Sequence, residues 1–477
     1  MGVTRLAYFF LILIYFGSVK CAFPNYYAKI PTVPVKEDPG PPLLLTPLIE
    51  QGKIQQAQSA ANVTFNGFKK LSSYSGYFTV DKRYNSNLFF WFFPALNDYP
   101  KAPVVLWLQG GPGASSLIGL FAENGPFSVK THKGLKLRKY AWTNQHSVIY
   151  IDNPVGCGYS FTEGGYAQNE TKVGEDLYNA MVQFFTLFPE LQKNDFYITG
   201  ESYAGKYVPA LGYTIMKNNP SAKLKINLQG LAIGNGLSDP EHQMVYGEYL
   251  YQIGLIDSNT RKVFQDMQQQ GVKYIQNKQF DKAFDIFDKL LNGDFNNHTS
   301  VFSNATGFDS YFNYLYDRDP LDEEVELAGA YVQRDDVRAA IHVGNLSYHT
   351  EDQTVETNLK NDVMQSVAPW ISELLSNYRI LIYNGQLDII VAYPLTENYL
   401  QNLKFSGSDQ YKNAKRFPWY VGQDLAGYVK QCGNLTEVLV RNAGHMVPAD
   451  QPQWSVDLLT RFTRNKPFHS KPTKLKH

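Results

Sequence analysis

The segment Asp195-Phe-Tyr-Ile-Thr-Gly-Glu-Ser-Tyr-Ala-Gly205 decides the fold that we predict for this chain. A β-rich run ends at Thr199, a tight turn follows, and a helical pattern begins after the turn. This order is typical of the G-x-S-x-G nucleophile turn, with Ala204 in place of the second glycine. Small residues are needed around Ser202 because the sharp turn leaves no room for larger side chains. The strand and the helix therefore favour a nucleophile at a helix N-terminus over an ordinary loop serine.

A serine nucleophile needs a base and a group that orients the base, and this turn predicts the chain order serine, acid, histidine. Asp388 follows the strand-like run Ile380–Tyr383, and His445 follows the run Glu437–Val440. Both residues fall at strand ends, where open α/β sheets collect their chemistry. We therefore predict Ser202, Asp388 and His445 as a catalytic triad, although spacing alone leaves Asp388 open to being a turn aspartate.

The oxyanion that forms during attack by a serine needs backbone N–H donors. The glycine-rich segment Gln109-Gly-Gly-Pro-Gly113 follows the strand-like run Val104–Leu108, where the early loop of such hydrolases lies. We predict that the N–H groups of Gly111 and Tyr203 form the oxyanion hole. A phosphate-binding loop is excluded because the segment lacks the Lys-Ser/Thr pair that such loops carry.

Short β-rich runs dominate the chain from Tyr74 onward, with helical patterns between several of them. The β-rich runs are Tyr77–Val80, Leu88–Phe93, Val104–Leu108, Val148–Asp152, Phe196–Thr199, Ile226–Ile233, Ile380–Tyr383 and Glu437–Val440. Helical spacing of apolar residues is present in Val173–Phe188, Tyr203–Lys217 and Val363–Leu375. Strands followed by strand–helix alternation predict an α/β fold with a mostly parallel central sheet covered by helices.

We divide the chain into six predicted segments. They are a signal peptide (1–22), a Pro-rich extended arm or leader (23–47), a first part of the core (48–240), an inserted helical cap (241–326), a second part of the core (327–465) and a tail (466–477). The cap lacks clear strands and carries apolar residues at helical spacing from Phe280 to Leu291. A separate helical domain is the alternative, but the sheet pattern resumes afterwards, which favours an insertion.

The N-terminal segment has the pattern of a secretory signal peptide: Arg5, then the apolar run Leu6–Phe16, then small residues. An uncleaved anchor is the alternative, although this run is shorter than the roughly 20 apolar residues that span a membrane. No later stretch is long and apolar enough to span. We expect a protein of the secretory pathway, either secreted or endolysosomal. The final residues, Lys474-Leu-Lys-His477, do not have the pattern of an endoplasmic-reticulum retention signal.

Composition narrows the classes of function. The 477 residues include 44 basic and 44 acidic side chains, and no basic block, which excludes an electrostatic footprint for nucleic acid. An aromatic content of 14% indicates a large ordered core rather than a disordered chain.

Six sequons agree with secretion, at Asn62, Asn169, Asn297, Asn304, Asn345 and Asn434. Of the three cysteines, Cys21 lies at the signal boundary, and Cys157 and Cys432 allow one disulfide or none, with Cys157 expected to be buried and unpaired.

Five ordered blocks resemble the serine carboxypeptidases, and most closely their vitellogenic carboxypeptidase-like branch. The blocks are Trp107-Leu-Gln-Gly-Gly-Pro-Gly113, Asp152-Asn-Pro-Val-Gly156, Gly200-Glu-Ser-Tyr-Ala-Gly205, Tyr383-Asn-Gly-Gln-Leu-Asp388 and Gly444-His-Met-Val-Pro448. The resemblance extends from about Leu44 to Phe462, nearly the whole predicted mature chain. It implies an α/β-hydrolase fold with a helical cap, release of single C-terminal amino acids from peptides, and no metal or organic cofactor.

The resemblance also implies a site for the free carboxylate of the substrate, formed by Trp107, Gln109, Glu123 and Glu201. Gln109 replaces the asparagine that the family commonly has, which keeps the amide donor on a longer side chain. Two ionised glutamates would repel a carboxylate, whereas a protonated one can donate a hydrogen bond to it. A shared proton of this kind predicts activity that is favoured at acidic pH.

Other interpretations stay open at this stage. The same triad fits an acyltransferase or an esterase, and a secreted binding or protective protein could keep the scaffold without using it. The chain also departs from many relatives because Ala114 replaces a cysteine and the cap has none. Side-chain preference, proteolytic activation and oligomeric state do not follow from these patterns.

Overall fold

The computed structural model describes residues 39–64, 71–131, 134–293, 295 and 299–468. The predicted signal peptide with Cys21, residues 23–38 of the predicted arm, the sequon at Asn297 and residues 469–477 of the predicted tail lie outside the described residues. Within the described residues the fold consists of β-strands and α-helices with short 3-10 and π segments between them.

The strands follow one another along the chain in this order. They are β1 (Asn62–Val63), β2 (Ser73–Asp81), β3 (Ser86–Phe93), β4 (Val104–Leu108), β5 (Phe127–Thr131), β6 (Gly134–Leu137), β7 (Ser147–Ile151), β8 (Phe196–Glu201), β9 (Leu228–Gly234), β10 (Arg379–Gly385), β11 (Arg416–Val421), β12 (Asp424–Cys432) and β13 (Leu435–Val440).

The helices flank and connect these strands. They are α1 (Thr46–Glu50), α2 (Ile54–Ala61), α3 (Glu170–Leu187), α4 (Ala204–Asn218), α5 (Pro240–Gln243), α6 (Tyr246–Gln252), α7 (Ser258–Gln276), α8 (Phe280–Phe287), α9 (Val301–Thr306), α10 (Asp322–Val332), α11 (Asp335–Ala340), α12 (Gln353–Val363), α13 (Ala368–Leu374), α14 (Tyr393–Asn402), α15 (Ser408–Lys412), α16 (Val447–Asp450) and α17 (Pro452–Thr463).

Eleven strands form one twisted sheet in the order β1-β2-β3-β7-β4-β8-β9-β10-β13-β12-β11, and β5 pairs with β6 in a separate hairpin. The six strands from β7 to β13 at its centre are parallel, and the flanking strands are antiparallel. The next strand of the same sheet after β4 in the chain is β7, which lies on one side of β4, and β8, which comes after β7, lies on the other side. Ligands of open α/β sheets bind at such a reversal, outside the carboxyl ends of the strands.

The central strands are continuous apolar runs because helices cover both of their faces. Every residue of β4 and β8 is buried, and the sequence predicts the bounds of β4 as the structure has them. The sequence does not predict the antiparallel edge strands β11 and β12, because β11 is mostly exposed and β12 mixes exposed, half-buried and buried residues without a long apolar run. The buried parallel strands are therefore the elements that the sequence predicts best.

One predicted helix is wrong. The pattern Val363–Leu375 is divided in the structure, where α12 ends at Val363 and α13 begins at Ala368. Pro369 lies in the first turn of α13, a position that proline favours because its missing N–H has no helical partner there. The N–H of Val367 instead donates to the carbonyl of Ser238 at 2.9 Å, which ties the break to the core.

Between residues 241 and 306 the described elements are helices α5 to α9 and a short π segment, with turns between them, and all of them lie between β9 and β10 in the chain. Ala283, Phe284 and Phe287 are buried on one side of α8, so the apolar spacing in this region matches a packed helix face. The division into core and cap stays a prediction. Within the described ranges, no helix is long and apolar enough to cross a membrane.

A buried ion pair joins the helix that follows the nucleophile turn to α12. The Nζ atom of Lys206, whose side chain is fully buried, donates to Asp362 Oδ2 at 2.6 Å and also to the carbonyl of the same residue. Glu170 lies close to this pair, and burial raises its pKa to about 8. Charges in this position are costly to bury, so each depends on its partner to stay in the core.

Replacing Lys206 by methionine should destabilise the protein by about 3–5 kcal/mol, because Asp362 is left as a buried charge without its cation. The double substitution Lys206→Met with Asp362→Asn should recover more than half of that loss. Urea unfolding followed by tryptophan fluorescence measures both values. A loss below about 1 kcal/mol in the single variant would show that the pair contributes no more than an exposed one.

Candidate active site

Ser202 lies in a sharp turn between β8 and α4, with its backbone in the left-handed region at φ 61°. The carbonyl of Ser202 accepts hydrogen bonds from the N–H groups of Gly205 and Leu237, at 2.9 and 3.0 Å. A Cβ atom on Gly200 would lie 2.6 Å from the carbonyl oxygen of Leu108, and one on Gly205 would lie 2.7 Å from the N atom of Leu237. The small residues therefore allow the backbone segments to approach closely enough to present the serine.

Asp388 and His445 lie together in the structure. The Nδ1 atom of His445 is 2.9 Å from Asp388 Oδ2, and both side chains are fully buried. Asp388 Oδ1 accepts from the N–H of Ile390 at 3.0 Å, which directs the other oxygen towards the imidazole. The acid thus holds the histidine in one orientation, as the orienting member of a triad does.

The Nε2 atom of His445 is buried and has no hydrogen-bond partner within the described residues. No hydrogen bond joins it to Ser202 in this structure. Contacts between nucleophile and base are often long in free enzymes and shorten when substrate binds. The imidazole ring stacks on the ring of Phe312, with centroids 4.6 Å apart and an angle of 16° between the planes, so its free nitrogen is aimed by packing as well as by Asp388.

Two residues that support the acid were not predicted. Asn235 Nδ2 donates to Asp388 Oδ2 at 2.6 Å, and Tyr249 Oη donates to the carbonyl of Asp388 at 2.6 Å. Asn235 follows β9 directly and has a left-handed φ of 42° in a Gly-Asn-Gly turn. Asp388 was predicted because functional groups of open α/β sheets collect at the carboxyl ends of strands, and Asn235 also lies at such an end. The same rule could therefore have identified Asn235 from the sequence. No sequence signal points to Tyr249 or to Phe312, which contact the site from distant segments.

The predicted oxyanion donors lie where the loop after β4 meets the nucleophile turn. A Cβ atom on Gly110 would be 2.5 Å from the N atom of Tyr203 and 2.7 Å from the Cβ of Ser202, so only glycine allows this approach. Gly111 has a left-handed φ of 107°. Neither its N–H nor that of Tyr203 donates to a protein acceptor in the part of the chain that the structure describes. Both groups remain available for an oxyanion.

Buried hydrogen bonds link three of the four predicted carboxylate-binding residues, and the fourth, Glu123, is buried beside them. Trp107 Nε1 donates to Gln109 Oε1 at 3.0 Å, and Gln109 Nε2 donates to Glu201 Oε1 at 2.8 Å. The longer arm of Gln109 therefore still reaches both neighbours. Glu123 ends a π segment, Gly119–Glu123, and faces Glu201 without a hydrogen bond of normal geometry to either of its oxygens.

Burial raises the pKa of both glutamates. Loss of hydration is the largest cause for Glu123, and for Glu201 the nearby charge of Glu123 raises the pKa further. Arg138 opposes this effect at Glu123, but it also forms an ion pair with Glu324 at 2.9 Å. The two carboxyl groups therefore hold a proton well above the pH at which an exposed glutamate would lose it.

A cleft of about 720 Å³, including its open mouth, begins at Ser202. Its lining residues come from the nucleophile turn, the loop after β4, the segments and helices between β9 and β10, and the loop after β10. They are Gly111, Pro112, Ser202, Tyr203, Leu237, Tyr246, Phe284, Phe287, Asn292, Tyr311, Phe312, Glu351, Glu356, Val363, Ile390 and Val391. The site can thus hold a substrate chain next to the serine.

The remaining predicted positions are the sequon asparagines and the cysteines, and none of them is part of the proposed triad, oxyanion hole or carboxylate site. The described sequon asparagines Asn62, Asn169, Asn304, Asn345 and Asn434 are all exposed. Asn434 Nδ2 donates to the carbonyl of Leu375 at 2.8 Å, whereas Asn169 uses its oxygen to cap α3.

Cys157 is buried and Cys432 half-buried, and both thiols are free, as expected for Cys157. Across the described ranges, no group of three or more His, Cys, Asp or Glu side chains is placed to hold a metal ion.

The order of the strands and the turn that carries Ser202 are those of the α/β-hydrolase class of proteins. A solved structure titled as a prohormone-processing carboxypeptidase, Kex1, from Saccharomyces cerevisiae superposes with a TM-score of 0.72 at 23% identity, covering 86% of this chain and 96% of that one. This similarity and the sheet order confirm the predicted α/β-hydrolase fold.

Sequence comparison identifies the family to which the chain belongs within this fold class. The family profile described as serine carboxypeptidase matches residues 63–465. The chain is 58% identical to the venom serine carboxypeptidase of Apis mellifera over 96% of this chain and 99% of that one. It is 49% identical to the vitellogenic carboxypeptidase of Aedes aegypti, over 89% and 90% of the two chains. It is 47% identical to the human protein named probable serine carboxypeptidase CPVL, over 96% of each. The chain belongs to the serine carboxypeptidase family, which confirms the predicted resemblance.

The contact between Asn235 and Asp388 predicts a loss of activity when the amide is removed. Glycine at position 235 keeps the left-handed backbone accessible but deletes the donor. We expect kcat/KM for a blocked peptide to fall about tenfold to a hundredfold, since a hydrogen bond to a charged group contributes about 1.5–3 kcal/mol.

A second variant, Asn235→Asp, keeps the side-chain oxygen that accepts from the N–H of Gly385 but places another carboxylate against Asp388. Its loss should equal or exceed that of the glycine variant. Thermal unfolding provides the control for folding. If both variants kept more than half of the wild-type kcat/KM, Asn235 would have no role in orienting the acid.

Proposed function

We propose that this protein releases single amino acids from the free C-termini of peptides through an acyl-enzyme formed on Ser202. One observation carries the proposal: the buried carboxyl pair Glu123–Glu201 adjoins the nucleophile turn, with Glu201 and Ser202 consecutive in the chain. In a peptide substrate, the terminal carboxylate is one residue beyond the last peptide carbonyl. A carboxyl pair close to the nucleophile turn therefore supports removal of a single C-terminal residue.

In the proposed reaction, Ser202 Oγ attacks the last peptide carbonyl and His445 Nε2 takes the proton. Asp388 keeps the ring oriented through Nδ1 and stabilises its charged form. The N–H groups of Gly111 and Tyr203 donate to the oxyanion. As the C–N bond breaks, His445 returns the proton to the leaving amine. Water then attacks the ester, with His445 as base, and releases the shortened peptide and Ser202.

Recognition of the terminal carboxylate depends on protons held by Glu123 and Glu201. Below the apparent pKa values of the pair, at least one carboxyl group can donate to the substrate. As the pH rises through these values, the pair becomes ionised and repels the carboxylate. The raised pKa values therefore support the proposal that the carboxylate binds at acidic pH and that binding is lost towards neutral pH.

Two other functions are less well supported by the site. An esterase or acyltransferase substrate without a free carboxylate would leave the buried glutamate pair without a ligand. A silent binding protein has no need for the contact between Asp388 and His445 or for the unbonded Nε2 atom. We also propose action within the secretory pathway, an expectation that the similarity to a venom carboxypeptidase supports.

Replacing Ser202 by alanine should lower kcat by at least about a thousandfold, because the acyl-enzyme can no longer form. The matched control is Ser221→Ala, at an exposed serine distant from the triad. Both variants should unfold at temperatures close to that of the wild type. Turnover by Ser202→Ala within tenfold of the wild type would contradict the mechanism.

The pH dependence of kcat/KM tests the carboxylate site. We expect hydrolysis of a blocked dipeptide with a free C-terminus to exceed that of its C-terminal amide at pH 4–5, and this preference to fade as the pH rises towards 8. Glu123→Gln supplies a neutral donor at every pH. It should therefore weaken the decline for the free acid on the alkaline side.

Equal cleavage of the acid and the amide at every pH would overturn the proposed carboxylate site and leave only a serine hydrolase. An unchanged alkaline decline in Glu123→Gln would show that the pair does not set it. Cleavage of an ester acyl donor without cleavage of either peptide would instead support the acyltransferase or esterase.

A further inference from the structure

One buried carboxyl group close to the nucleophile turn takes no part in the proposed reaction. It belongs to Glu170, the first residue of α3, and neither of its oxygens has a hydrogen bond of normal geometry within the described residues. The start of this helix is fixed, since Asn169 accepts from the N–H of Lys172 at 3.0 Å. Buried polar atoms are nearly always paired in proteins, so the groups that surround Glu170 decide what it does.

Close packing of α3 on α4 brings Glu170 to the start of α4. A Cβ atom on Gly174, one turn further along α3, would lie 2.8 Å from the carbonyl oxygen of Ala210, so only glycine allows this approach. Tyr203 precedes α4 and is a neighbour of Glu170. Burial is the main cause that raises the pKa of its phenol, and the charge of the Glu170 carboxyl group raises it further.

Two tyrosine hydroxyls share this buried region with the carboxyl group. The rings of Tyr203 and Tyr207 meet edge to face, with centroids 5.1 Å apart and an angle of 75° between the planes. Tyr203 lines the cleft, but its hydroxyl and that of Tyr207 are buried, and neither has a hydrogen bond of normal geometry in the part of the chain that the structure describes. A protonated carboxyl group and two phenols can donate to and accept from one another, so the three groups are complementary.

The charged groups near Glu170 leave its carboxyl group protonated at acidic pH. Lys206 lies 5.4 Å from the centroid of the Tyr203 ring and is paired with Asp362 at 2.6 Å. Burial is the main cause that raises the pKa of Glu170 to about 8; Lys206 lowers this value and Asp362 raises it. A neutral carboxyl group places no negative charge behind the oxyanion hole, where such a charge would oppose the oxyanion.

Each tyrosine is connected to one of the two proposed oxyanion donors. The N–H of Tyr203 is itself a donor. The backbone of Gly113 approaches the hydroxyl of Tyr207 and lowers its pKa, against the larger effect of burial. Gly113 belongs to the same glycine-rich segment as Gly111, which carries the other donor. The two hydroxyls therefore link the region of Glu170 to both backbone segments of the oxyanion hole.

We propose that Glu170 is a positioning residue for the oxyanion hole, acting through the hydroxyls of Tyr203 and Tyr207 on the backbone segments that carry the two donors. This role rests on the proposed function and adds to it a residue that contacts neither substrate nor Ser202. Removing the carboxyl group takes away the group that the two hydroxyls share. The effect should appear in the transition state, where the oxyanion forms, and not in the binding of substrate.

The first test separates kcat from KM for a blocked peptide at acidic pH. Glu170→Ala should lower kcat about tenfold and change KM by less than about twofold, since loss of a whole oxyanion donor costs about a hundredfold to a thousandfold. Glu170→Gln keeps a donor and an acceptor in the same shape and should stay within about threefold of the wild type. Tyr203→Phe and Tyr207→Phe leave both backbone donors in place and should lower kcat in the same direction as Glu170→Ala.

The second test needs no terminal carboxylate. The rate constant for labelling of Ser202 by a fluorophosphonate probe depends on the nucleophile and the oxyanion hole, so it should also fall about tenfold in Glu170→Ala. The matched control is Met181→Ala, at a buried position about three turns further along α3. This control should lower the unfolding temperature and leave the labelling rate unchanged.

Unchanged labelling in Glu170→Ala, or an equal loss in Met181→Ala, would overturn the positioning role. An equal loss in Glu170→Gln would contradict positioning by hydrogen bonds. If Glu170→Ala does not fold, the labelling rates of the two phenylalanine variants decide the same question. Labelling of the wild type without cleavage of the peptide would overturn the proposed carboxypeptidase function alone, because the labelling rates of the variants would still test Glu170. Failure to label the wild type would overturn both.

Discussion

The rest of the site depends on the close approach of three backbone segments at Ser202. The turn after β8, the loop after β4 and the loop after β9 meet where Gly110, Gly200 and Gly205 leave no space for a side chain. The left-handed conformation of Ser202 costs free energy, of the order of 1–3 kcal/mol for a non-glycine residue. The surrounding contacts sustain it, so packing of the sheet holds the nucleophile at the edge where the other groups arrive.

The same meeting of segments explains why the acid is supported by Asn235. β9 pairs with both β8 and β10, so the residue that ends it lies between the ends that carry Ser202 and Asp388. Its amide contacts Asp388 on one side and the N–H of Gly385 on the other. A parallel sheet thus brings the ends of neighbouring strands together although they are far apart in the sequence. The arrangement of Ser202, Asp388 and His445, the proposed triad, follows from the order of the strands.

Sequence reasoning succeeded where local rules act and failed where distant segments meet. Short apolar strands such as Val104–Leu108 and the turn at Ser202 carry their own signals. Pro369 is itself a sequence signal for the break between α12 and α13, but the apolar spacing on both sides of it favours one continuous helix. Phe312 and Glu351 approach the site only after the chain has folded, because their neighbours lie far away in the sequence. The predicted triad and carboxylate residues were accessible through motifs, whereas the walls of the cleft were not.

The zero net charge of the chain conceals a local concentration of acids. Glu123, Glu201 and Asp388 are all buried, and Glu201 immediately precedes Ser202 in the chain. Asp388 itself contributes to the raised pKa of Glu201, so the negative potential of the triad helps to keep the carboxyl pair protonated. The same potential favours the imidazolium that forms during the proposed attack. The proposed carboxylate recognition at acidic pH and the stabilisation of the imidazolium are then two consequences of one field.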